Sequence, residues 1–424
     1  MGVRLMPWQV RAISGQLTVR PDGRFRFREA LVSTGRQNGK SVALCGLIGW
    51  FLTHRAVTHG PQNVLSVANR LDRAESIFTR LAPVLVESFG GKARHTIGMK
   101  SVTMPDGSVW EVRAASKRLH GGSNDLIVLD ELFDIAPEVL DEALRPSQIA
   151  RPEPLMSAWS TAGDEQSLAM IAMREAAIAA IETGQETDTY FAEWSLPNVD
   201  PNDERFWRWA NPALGTTITM EALRANSHKD SFKRAHLNLW VSARGAWLEP
   251  GVWDGLKADD IPAGGVLSVD ISADGNRYAG VRAVTVGATT FVKFEFSVAT
   301  ENEMWREVAR ITADPKINLT LGFGLETHLP HGLQRRTTLA GSKEVSRYTG
   351  LVRGMIVNGA IRHDGSTTLG EHVNRAVAVT ANGNLVLAAN RSPGPIELCR
   401  LMVIACALAS KPQTLTKPIL VVAR

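Results

Sequence analysis

The stretch STGRQNGKS, residues 33–41, decides how this 424-residue chain folds. The apolar run before it, residues 27–32, is typical of a strand. The run after it, residues 42–52, is apolar and compatible with a helix. A glycine-containing loop between a strand and a helix is the usual setting of a phosphate-binding loop.

The end of this stretch has the groups that a bound triphosphate needs. Gly39 begins a helix whose first backbone N–H groups are free to bind phosphate oxygens. Lys40 provides an ammonium group for the β and γ oxygens, and Ser41 provides a hydroxyl for Mg²⁺. The strict motif has Gly five positions before Gly39, where this chain has Thr34. The assignment therefore depends on partner residues elsewhere in the chain.

Such a partner follows a second apolar run. Residues 126–129 are apolar and lead into Asp130 and Glu131. A buried strand can deliver an Asp to a bound Mg²⁺, and a following Glu can orient and deprotonate the attacking water. A buried strand that ends in a solvated acidic turn is the alternative. Together with the loop at 33–41, the pair favours an ATP-hydrolysing site.

Two further segments have more than one interpretation. Trp8 and Gln9, upstream of the loop, could flank an adenine ring, with Gln9 binding its edge, or Trp8 could simply pack in the core. Residues 157–163 form a strand end of small side chains that includes Ser160, Thr161 and Ala162. In motor ATPases such a strand end lies beside the γ-phosphate; a tight turn after a strand is the alternative.

Composition limits the class of protein. The chain is 44% hydrophobic and 21% charged, and its length suggests two or three domains. No uninterrupted apolar run reaches the ~18 residues of a membrane span, and no signal peptide is recognisable, so we expect no membrane and a reducing cytoplasm. Three cysteines are too few for a disulfide framework. The net charge of +4 permits nucleic-acid binding without requiring it.

Spacing of the apolar runs predicts the domain organisation. Strand-like runs at 63–68, 109–115, 126–130 and 155–161 alternate with helical ones, which indicates a mostly parallel α/β sheet. The sequence that follows is rich in Trp and Pro, which indicates a connector, and a helix is predicted over 220–241. We predict a first domain at 1–190, a connector at 191–259 and a second, mixed α/β domain at 260–424.

The second predicted domain begins with an Asp-bearing strand. Asp270 lies in the apolar run 266–272, and the runs 277–286 and 290–296 follow as an antiparallel meander. This is how an RNase H-like fold begins, and nucleases of that fold hold two divalent ions with several carboxylates. Glu326 and Glu397 are the further candidates, although an acid in the first turn of a helix, as at Glu397, is also ordinary dipole compensation. Reserve candidates for metal binding are Asp274, Asp364 and Glu371, with His363 beside Asp364. Basic residues could also line a groove that binds DNA, although each of them equally fits a solvated face. They are Arg335, Arg336, Lys343, Arg347 and Arg353.

Taken in order, these motifs resemble the large terminase subunit of tailed bacteriophages of the HK97-like type. The resemblance covers nearly the whole chain. It rests on residues 36–41, Asp130-Glu131, residues 160–162, residues 210–212, residues 237–240, residues 270–272, residues 359–363 and Asn374. Two positions depart from the family pattern, because Glu326 and Glu397 stand where the family usually has Asp.

The resemblance implies a P-loop ATPase joined to an RNase H-like nuclease. ATP with Mg²⁺ would bind at Lys40 and Ser41, with Asp130 supporting the metal, Glu131 activating water and Arg36 contacting the γ-phosphate. Gln9 and Gly39 complete the implied nucleotide site. Two Mg²⁺ or Mn²⁺ ions would bind at Asp270, Glu326 and Glu397 and cut concatemeric DNA with little sequence preference.

The resemblance also implies partners and a location. These are double-stranded DNA, a portal protein, a small terminase subunit and a pentameric ring on the procapsid, in the cytoplasm of an infected bacterium. A neighbouring subunit would supply an arginine, for which Arg70, Arg113 and Arg118 are candidates.

Two other classes of protein remain open at this point. A helicase-like translocase would share the loop and the Asp-Glu pair, but it needs a second RecA-like domain with an arginine-rich motif, which residues 260–424 do not resemble. A second domain that only clamps DNA or adapts to a portal is the other alternative, and metal-dependent cutting distinguishes it.

Overall fold

The computed structural model describes residues 2–69, 71–96, 99–116, 119, 122–164, 166–197, 199–229, 231–240, 247–249, 251–273, 275–381, 383–392 and 394–411. Arg70, Arg118, Asp274 and part of the loop at 120–123 lie outside these residues. The chain divides into two compact units, Met1–Ser242 and Ala243–Arg424. Both contain a sheet with helices, so the predicted α/β fold class is confirmed.

The first unit is built on one large sheet. Its strands are β1 Glu29–Thr34, β2 Asn63–Ala68, β3 Lys92–Thr96, β4 Met99–Thr103, β5 Val109–Ala114, β6 Leu126–Asp130, β7 Leu155–Ser160 and β8 Thr189–Trp194. They are arranged in the order β3-β4-β5-β2-β6-β7-β1-β8. The six strands from β5 to β8 in this order are parallel, and β3 and β4 add antiparallel to the edge. Strands β6 and β7 are buried along their whole length, which explains their largely apolar sequence.

Helices cover this sheet. They are α1 Pro7–Gln16, α2 Lys40–Trp50, α3 Ala56–His59, α4 Leu71–Phe89, α5 Pro137–Val139, α6 Leu168–Thr183, α7 Trp207–Ala210, α8 Met220–Arg224 and α9 Phe232–Ala235. Shorter π and 3₁₀ turns lie at Phe51–Arg55, Leu132–Asp134, Leu140–Leu144, Pro146–Gln148 and Glu204–Phe206. The turn at Phe51–Arg55 joins α2 to α3 without a break in helical structure.

The continuous run Lys40–His59 is longer than the sequence predicted. Of the residues that the structure describes, only this run is long and apolar enough to cross a membrane, with a mean hydropathy of 1.2, and half of it is buried inside the unit. Leu44, Leu47 and Ile48 are completely buried in the main core cluster. The run is therefore the central core helix of this unit, as its apolar sequence predicted.

The connector differs from its prediction. A single helix over 220–241 was wrong, because the described residues of this segment form only the short helices α8 and α9, and residues 236–240 are not helical. Asn238 adopts a left-handed φ of 53°, which ends helical continuation. Trp207, Leu223, Phe232 and Leu237 are buried together in a small core of the connector itself. Tertiary packing therefore replaces helix propensity in this segment.

The second unit contains a six-stranded mixed sheet and a two-stranded one. Its strands are β9 Gly265–Ile271, β10 Tyr278–Val286, β11 Thr289–Val298, β12 Ile317–Leu321, β13 Thr337–Leu339, β14 Ile361–His363, β15 Ala378–Ala381 and β16 Asn384–Leu387. The six-stranded order is β13-β12-β9-β10-β11-β14. Strands β9, β10 and β11 form the predicted antiparallel meander, and β12 pairs parallel with β9. The predicted meander is therefore present, with Asp270 on its first strand.

The helices of the second unit are α10 Glu301–Thr312, α11 Ser342–Val357, α12 Thr367–Asn374 and α13 Glu397–Ala409, with 3₁₀ turns at Asp254–Leu256, Phe323–His328, His331–Arg336 and Ala389–Arg391. Helix α13 is almost entirely buried. It contains Cys399 and Cys406, which are buried like Cys45 in α2. Trp247 donates its ring N–H to the carbonyl of Val373, and Trp253 stacks on His363 at 4.3 Å. These tryptophans, which the sequence assigned to the connector, therefore pack inside the second unit.

Candidate functional site

Lys40 lies at the start of α2 with its ammonium group turned back into the loop. The side chain is 8% exposed, and Nζ donates to the carbonyl oxygens of Thr34 at 3.2 Å and Gly35 at 3.4 Å. Burial lowers the pKa of Lys40, while the charges of Glu131 and Asp130 act in the opposite direction. The two predicted carboxylates thus lie close enough to act on the loop lysine.

The backbone of the loop requires glycine at one position. Gly39 has a left-handed φ of 92°, and a Cβ there would lie 2.8 Å from Nε2 of Gln9. That Nε2 donates to the carbonyl of Gly39 at 2.8 Å, while Oε1 of Gln9 accepts from the backbone N–H of Met6 at 2.7 Å. The amide of Gln9 therefore holds the loop in place. Its role at an adenine ring stays a prediction.

Trp8 packs in the core instead of facing solvent. It is 6% exposed, and its ring centroid lies 6.0 Å from that of Trp159 and 5.3 Å from that of Trp194. The packing interpretation of Trp8 is the one that this geometry favours.

Asparagine side chains attach the loop to the connector, a feature that the sequence reasoning missed. Asn38 donates to the carbonyl of Gly35 at 3.0 Å and to Oδ1 of Asn211 at 3.2 Å, and its Oδ1 accepts from the backbone N–H of Ala213 at 3.0 Å. Asn211 in turn donates to the carbonyl of His236 at 2.7 Å. All the polar atoms of a buried amide are thus used to position the loop.

The acidic pair lies where two strands of the sheet end together. Asp130 is the last residue of β6, is 7% exposed and pairs with Trp159 of β7. Strand β7 separates β6 from the loop strand β1. Glu131 has a left-handed φ of 64°, an uncommon conformation for a side chain of this kind. Such backbone strain is typical of functional positions.

Two polar atoms at this edge of the sheet are buried without any hydrogen-bond partner among the described residues. They are Oε2 of Glu131 and Oγ1 of Thr161. Next to Thr161, Ser160 accepts from the backbone N–H of Phe133 at 3.1 Å, so the end of β7 contacts the turn that follows the acidic pair. Unsatisfied buried polar atoms are costly, so these two atoms at the strand ends call for an explanation.

The arginines near this site differ in what they contact. Arg36 is exposed, and its backbone N–H donates to the carbonyl of Ala235 at 2.7 Å. Arg113, a predicted arginine for a neighbouring subunit, forms an ion pair with Glu111 of its own strand at 3.0 Å. Arg234, which the sequence reasoning did not consider, pairs with Asp164 at 3.2 Å.

In the second unit, Asp270 is close to the end of β9. Its Oδ1 accepts from the backbone N–H of Ile271 at 2.9 Å. A Cβ on Gly322 would lie 1.9 Å from this oxygen, so the carboxylate occupies the space that only glycine leaves. Burial raises the pKa of Asp270, and the charge of Glu397 adds to it, while the N–H of Ile271 and the charge of Arg400 oppose it.

Glu397 is the second acid of this site. It is the first residue of α13, and its Oε1 accepts from the backbone N–H of Ala273 at 3.3 Å. Its Oε2 lies 3.8 Å from Nδ1 of His372. A small cavity is lined by Asp270, Ile271, Gly341, Val345, Glu397, Arg400, Leu401 and Ile404. Two predicted acids are therefore brought together beside an arginine.

The predicted set of three acids is not assembled. Glu326 is exposed in a 3₁₀ turn, and within the described ranges no group of three His, Cys, Asp or Glu side chains could hold a metal ion. The reserve pair His363 and Asp364 serves the fold. His363 contacts the carbonyl of Trp253 at 2.9 Å, and Asp364 accepts from the backbone N–H of Phe294 at 2.9 Å. The role of Glu326 as a metal ligand therefore stays a prediction.

The predicted basic groove is only partly available. Arg353 donates to the carbonyl of Trp247 at 2.6 Å, and Arg336 donates to that of Thr312 at 2.8 Å. Arg335, Lys343 and Arg347 are exposed.

Comparisons with known proteins agree with this architecture. No family model matches the chain. Protein YmfN of Escherichia coli (strain K12) is 28% identical over 156 residues, and this match spans 34% of the chain and 34% of that relative, about a third of each. The crystal structure of the HK97 bacteriophage large terminase is 20% identical, covers 95% of both chains and has a TM-score of 0.50.

Another solved structure is also similar, at a lower level. The large terminase from a thermophilic bacteriophage, in complex with ADP, is 11% identical, covers 95% of this chain and 98% of its own, and has a TM-score of 0.41. That similarity carries no further argument. The chain has the fold of a large terminase, and the resemblance inferred from its motifs is confirmed at the level of that fold.

Proposed function

We propose that this chain is an ATP-driven DNA-packaging motor. In this proposal the first unit hydrolyses ATP with Mg²⁺ and moves duplex DNA into a procapsid. The buried Lys40 carries the proposal, because it lies at the start of α2, after the loop that follows β1, while Asp130 and Glu131 lie at the end of the parallel strand β6, at the same edge of the sheet. This constellation suits phosphoryl transfer, which depends on positioning and on charge stabilisation.

The donor atoms present suit the nucleotide and its metal. Mg²⁺ prefers hard oxygen ligands, which Ser41 and Asp130 would provide beside the triphosphate. The unsatisfied Oε2 of Glu131 supports a role in orienting water, since that oxygen has no protein partner among the described residues. The hydroxyl of Thr161 also has no partner among the described residues, and it would contact the γ-phosphate from the end of β7.

For the second unit we propose DNA binding and, more specifically, DNA cutting at Asp270 and Glu397. The pair supports metal binding at one position. Among the described residues no third His, Cys, Asp or Glu joins this pair, and a second candidate function is that this unit clamps DNA or adapts to a portal without cutting it. Further elements of the proposal are a portal protein, a small terminase subunit, a pentameric ring and a location in the infected host's cytoplasm.

The first test is ATP hydrolysis by the full chain in the presence of duplex DNA. Lys40→Ala removes the ammonium group and is expected to lower kcat by at least ~10²-fold, the cost of losing one preorganised electrostatic donor. Lys92→Ala, at an exposed position on the edge strand β3, is the matched control and is expected to behave as wild type. Equal rates for wild type and Lys40→Ala would contradict the proposal.

The second test separates a nuclease from a clamp. Supercoiled plasmid is incubated with the full chain and Mn²⁺, beside Asp270→Ala. Cutting by wild type alone supports the nuclease and assigns its site. DNA that is bound in a mobility-shift assay but left intact by both proteins supports the clamp.

A further inference from the structure

One connector side chain joins three parts of the ATPase unit. Asn238 is 1% exposed. Its Nδ2 donates to Oγ of Ser33 at 2.9 Å and to the carbonyl of Trp194 at 3.0 Å. Its Oδ1 accepts from the backbone N–H of Ala162 at 2.6 Å. Donor and acceptor ends of the amide are therefore both in use.

The three partners lie at the carboxyl ends of adjacent strands. Ser33 precedes the last residue of β1 and leads into the phosphate loop, Trp194 is the last residue of β8, and Ala162 follows β7 by two residues. Strands β7, β1 and β8 are neighbours in the sheet. Ala162 is also bonded to Thr161, whose buried hydroxyl is unsatisfied among the described residues. Asn238 thus connects the loop strand to the strand end beside the proposed γ-phosphate position.

Both the backbone and the side chain at 238 restrict the residue type. A left-handed φ of 53° is tolerated by Gly, Asn and Asp far better than by other residues. Among these three, only Asn offers a donor and an acceptor together, because ionised Asp only accepts and Gly has no side chain. The position therefore requires an amide for its hydrogen bonds.

Neighbouring connector residues contact the same region. Arg234 pairs with Asp164 at 3.2 Å, and a Cβ on Gly163 would lie 3.2 Å from the ring of Trp240. The carbonyl of Ala235 accepts from the backbone N–H of Arg36 at 2.7 Å. The connector is consequently attached both to the phosphate loop and to the segment that follows β7.

We infer that Asn238 is a positioning residue that makes the connector move together with the end of β7 when the nucleotide state changes. This inference rests on the proposed ATPase function. Loss of the amide removes the hydrogen bonds that connect Ala162 to Ser33. Nucleotide still binds the loop, but Thr161 is no longer held in the correct position for hydrolysis. The expected kinetic result is a lower kcat with little change in KM.

The test compares three variants of the full chain. Asn238→Gly keeps the backbone conformation and removes both ends of the amide. Asn238→Asp keeps the acceptor for Ala162 and removes the donors. Asn226→Gly is the matched control, since Asn226 lies in the same connector and donates only within its own segment, to the carbonyl of Ala222 at 2.8 Å.

Two readouts are measured. Hydrogen exchange of the peptide containing Ala162 is expected to accelerate about tenfold in Asn238→Gly and to stay near wild type in Asn238→Asp, because the acceptor persists. DNA-stimulated ATP hydrolysis is expected to lose at least about tenfold in kcat in Asn238→Gly, with KM within about threefold of wild type. Asn226→Gly is expected to match wild type in both.

Each outcome has a separate meaning. Unchanged exchange at Ala162 in Asn238→Gly, or altered exchange with wild-type kcat, overturns the inference. A raised KM with wild-type kcat overturns it too, because that result assigns Asn238 to nucleotide binding. A wild-type chain that does not hydrolyse ATP contradicts the proposed function instead, and the exchange measurement still tests the link from Asn238 to Ala162.

Discussion

Replacing Gly322 by Ala is expected to destabilise the second unit, and the same change is expected to stabilise it when Asp270 is also Ala. The three atoms nearest to a Cβ at position 322 all belong to the Asp270 carboxyl group, at 1.9, 2.3 and 2.8 Å. The backbone itself accepts Ala, since Gly322 has φ −62° and ψ 146°. The nearest obstacle to a Cβ at this position, among the described residues, is therefore the Asp270 side chain.

The size of the effect follows from these distances. A carbon–oxygen contact needs about 3.3 Å, so the carboxyl group must move by more than ~1 Å. Overpacking of this kind costs ~1–3 kcal/mol. Without the carboxyl group, Ala in place of Gly at a compatible backbone position stabilises by ~0.4–1 kcal/mol through the unfolded state. The effect of Gly322→Ala on stability should therefore change sign between the chain with Asp270 and the Asp270→Ala variant.

Calorimetry of the full chain measures this prediction. A change of 1 kcal/mol shifts Tm by ~2–4 °C for a unit of this size. The double-mutant cycle comprises wild type, Gly322→Ala, Asp270→Ala and the double variant. Gly324→Ala is the control, because a Cβ at Gly324 meets nothing within 4 Å.

Additive effects, with an interaction below ~0.5 kcal/mol, would refute the reasoning. So would destabilisation by Gly322→Ala of the same size in both backgrounds, since the clash would then not involve Asp270. If the unit also cuts DNA, the displaced carboxylate should reduce cutting by about 10²-fold, the cost of a ~1 Å misplacement.

Three further predictions concern single side chains. Glu131→Gln should retain ATP binding, measured with a fluorescent analogue, and lose ~10²–10⁴-fold in phosphate release, because the proposed general base is gone; wild-type turnover would contradict this role. Thr161→Val should leave Tm within ~1–2 °C of wild type or raise it, since the buried hydroxyl forms no hydrogen bond within the described structure. The same variant should lower kcat. A large loss of stability would show that the hydroxyl has a partner. Asp270→Asn should raise Tm of the second unit at neutral pH but not below about pH 3. Because burial raises the pKa of Asp270 in the folded state, its charged form destabilises the fold only at a pH above the pKa of this carboxyl group in the unfolded chain. A gain in Tm of equal size at every pH would exclude this cause.

Regular elements of the fold were predictable where one physical signal dominates. The bounds of β2 and β6 agree with the predictions to the residue, since each is a short apolar run between polar turns, buried in a parallel sheet. The meander β9–β11 was also predicted, from three successive strand-like runs of which the first contains Asp270. The hairpin of β3 and β4 was missed, because neither of these strands has a continuous apolar run.

The site was predictable in its local motifs and less so in its long-range contacts. Lys40 and the acidic pair could be proposed from the sequence because strand-end chemistry is encoded within a few residues. The buried amides of Asn38 and Asn238 were not found, since their partners lie far away in the sequence. Glu326 shows a limit of such motifs, because an acid after an apolar run indicates a strand end without showing where its side chain points.

Burial of all three thiols has a practical consequence. Cys45, Cys399 and Cys406 are inaccessible, and burial raises the pKa of each, to about 11 for Cys45. Because the thiolate is the form that reacts, the native chain should be nearly inert to maleimides at neutral pH. A single cysteine introduced at the exposed connector residue Ser227 would accept a fluorophore without prior removal of the natural ones, so that connector movement becomes observable in single molecules.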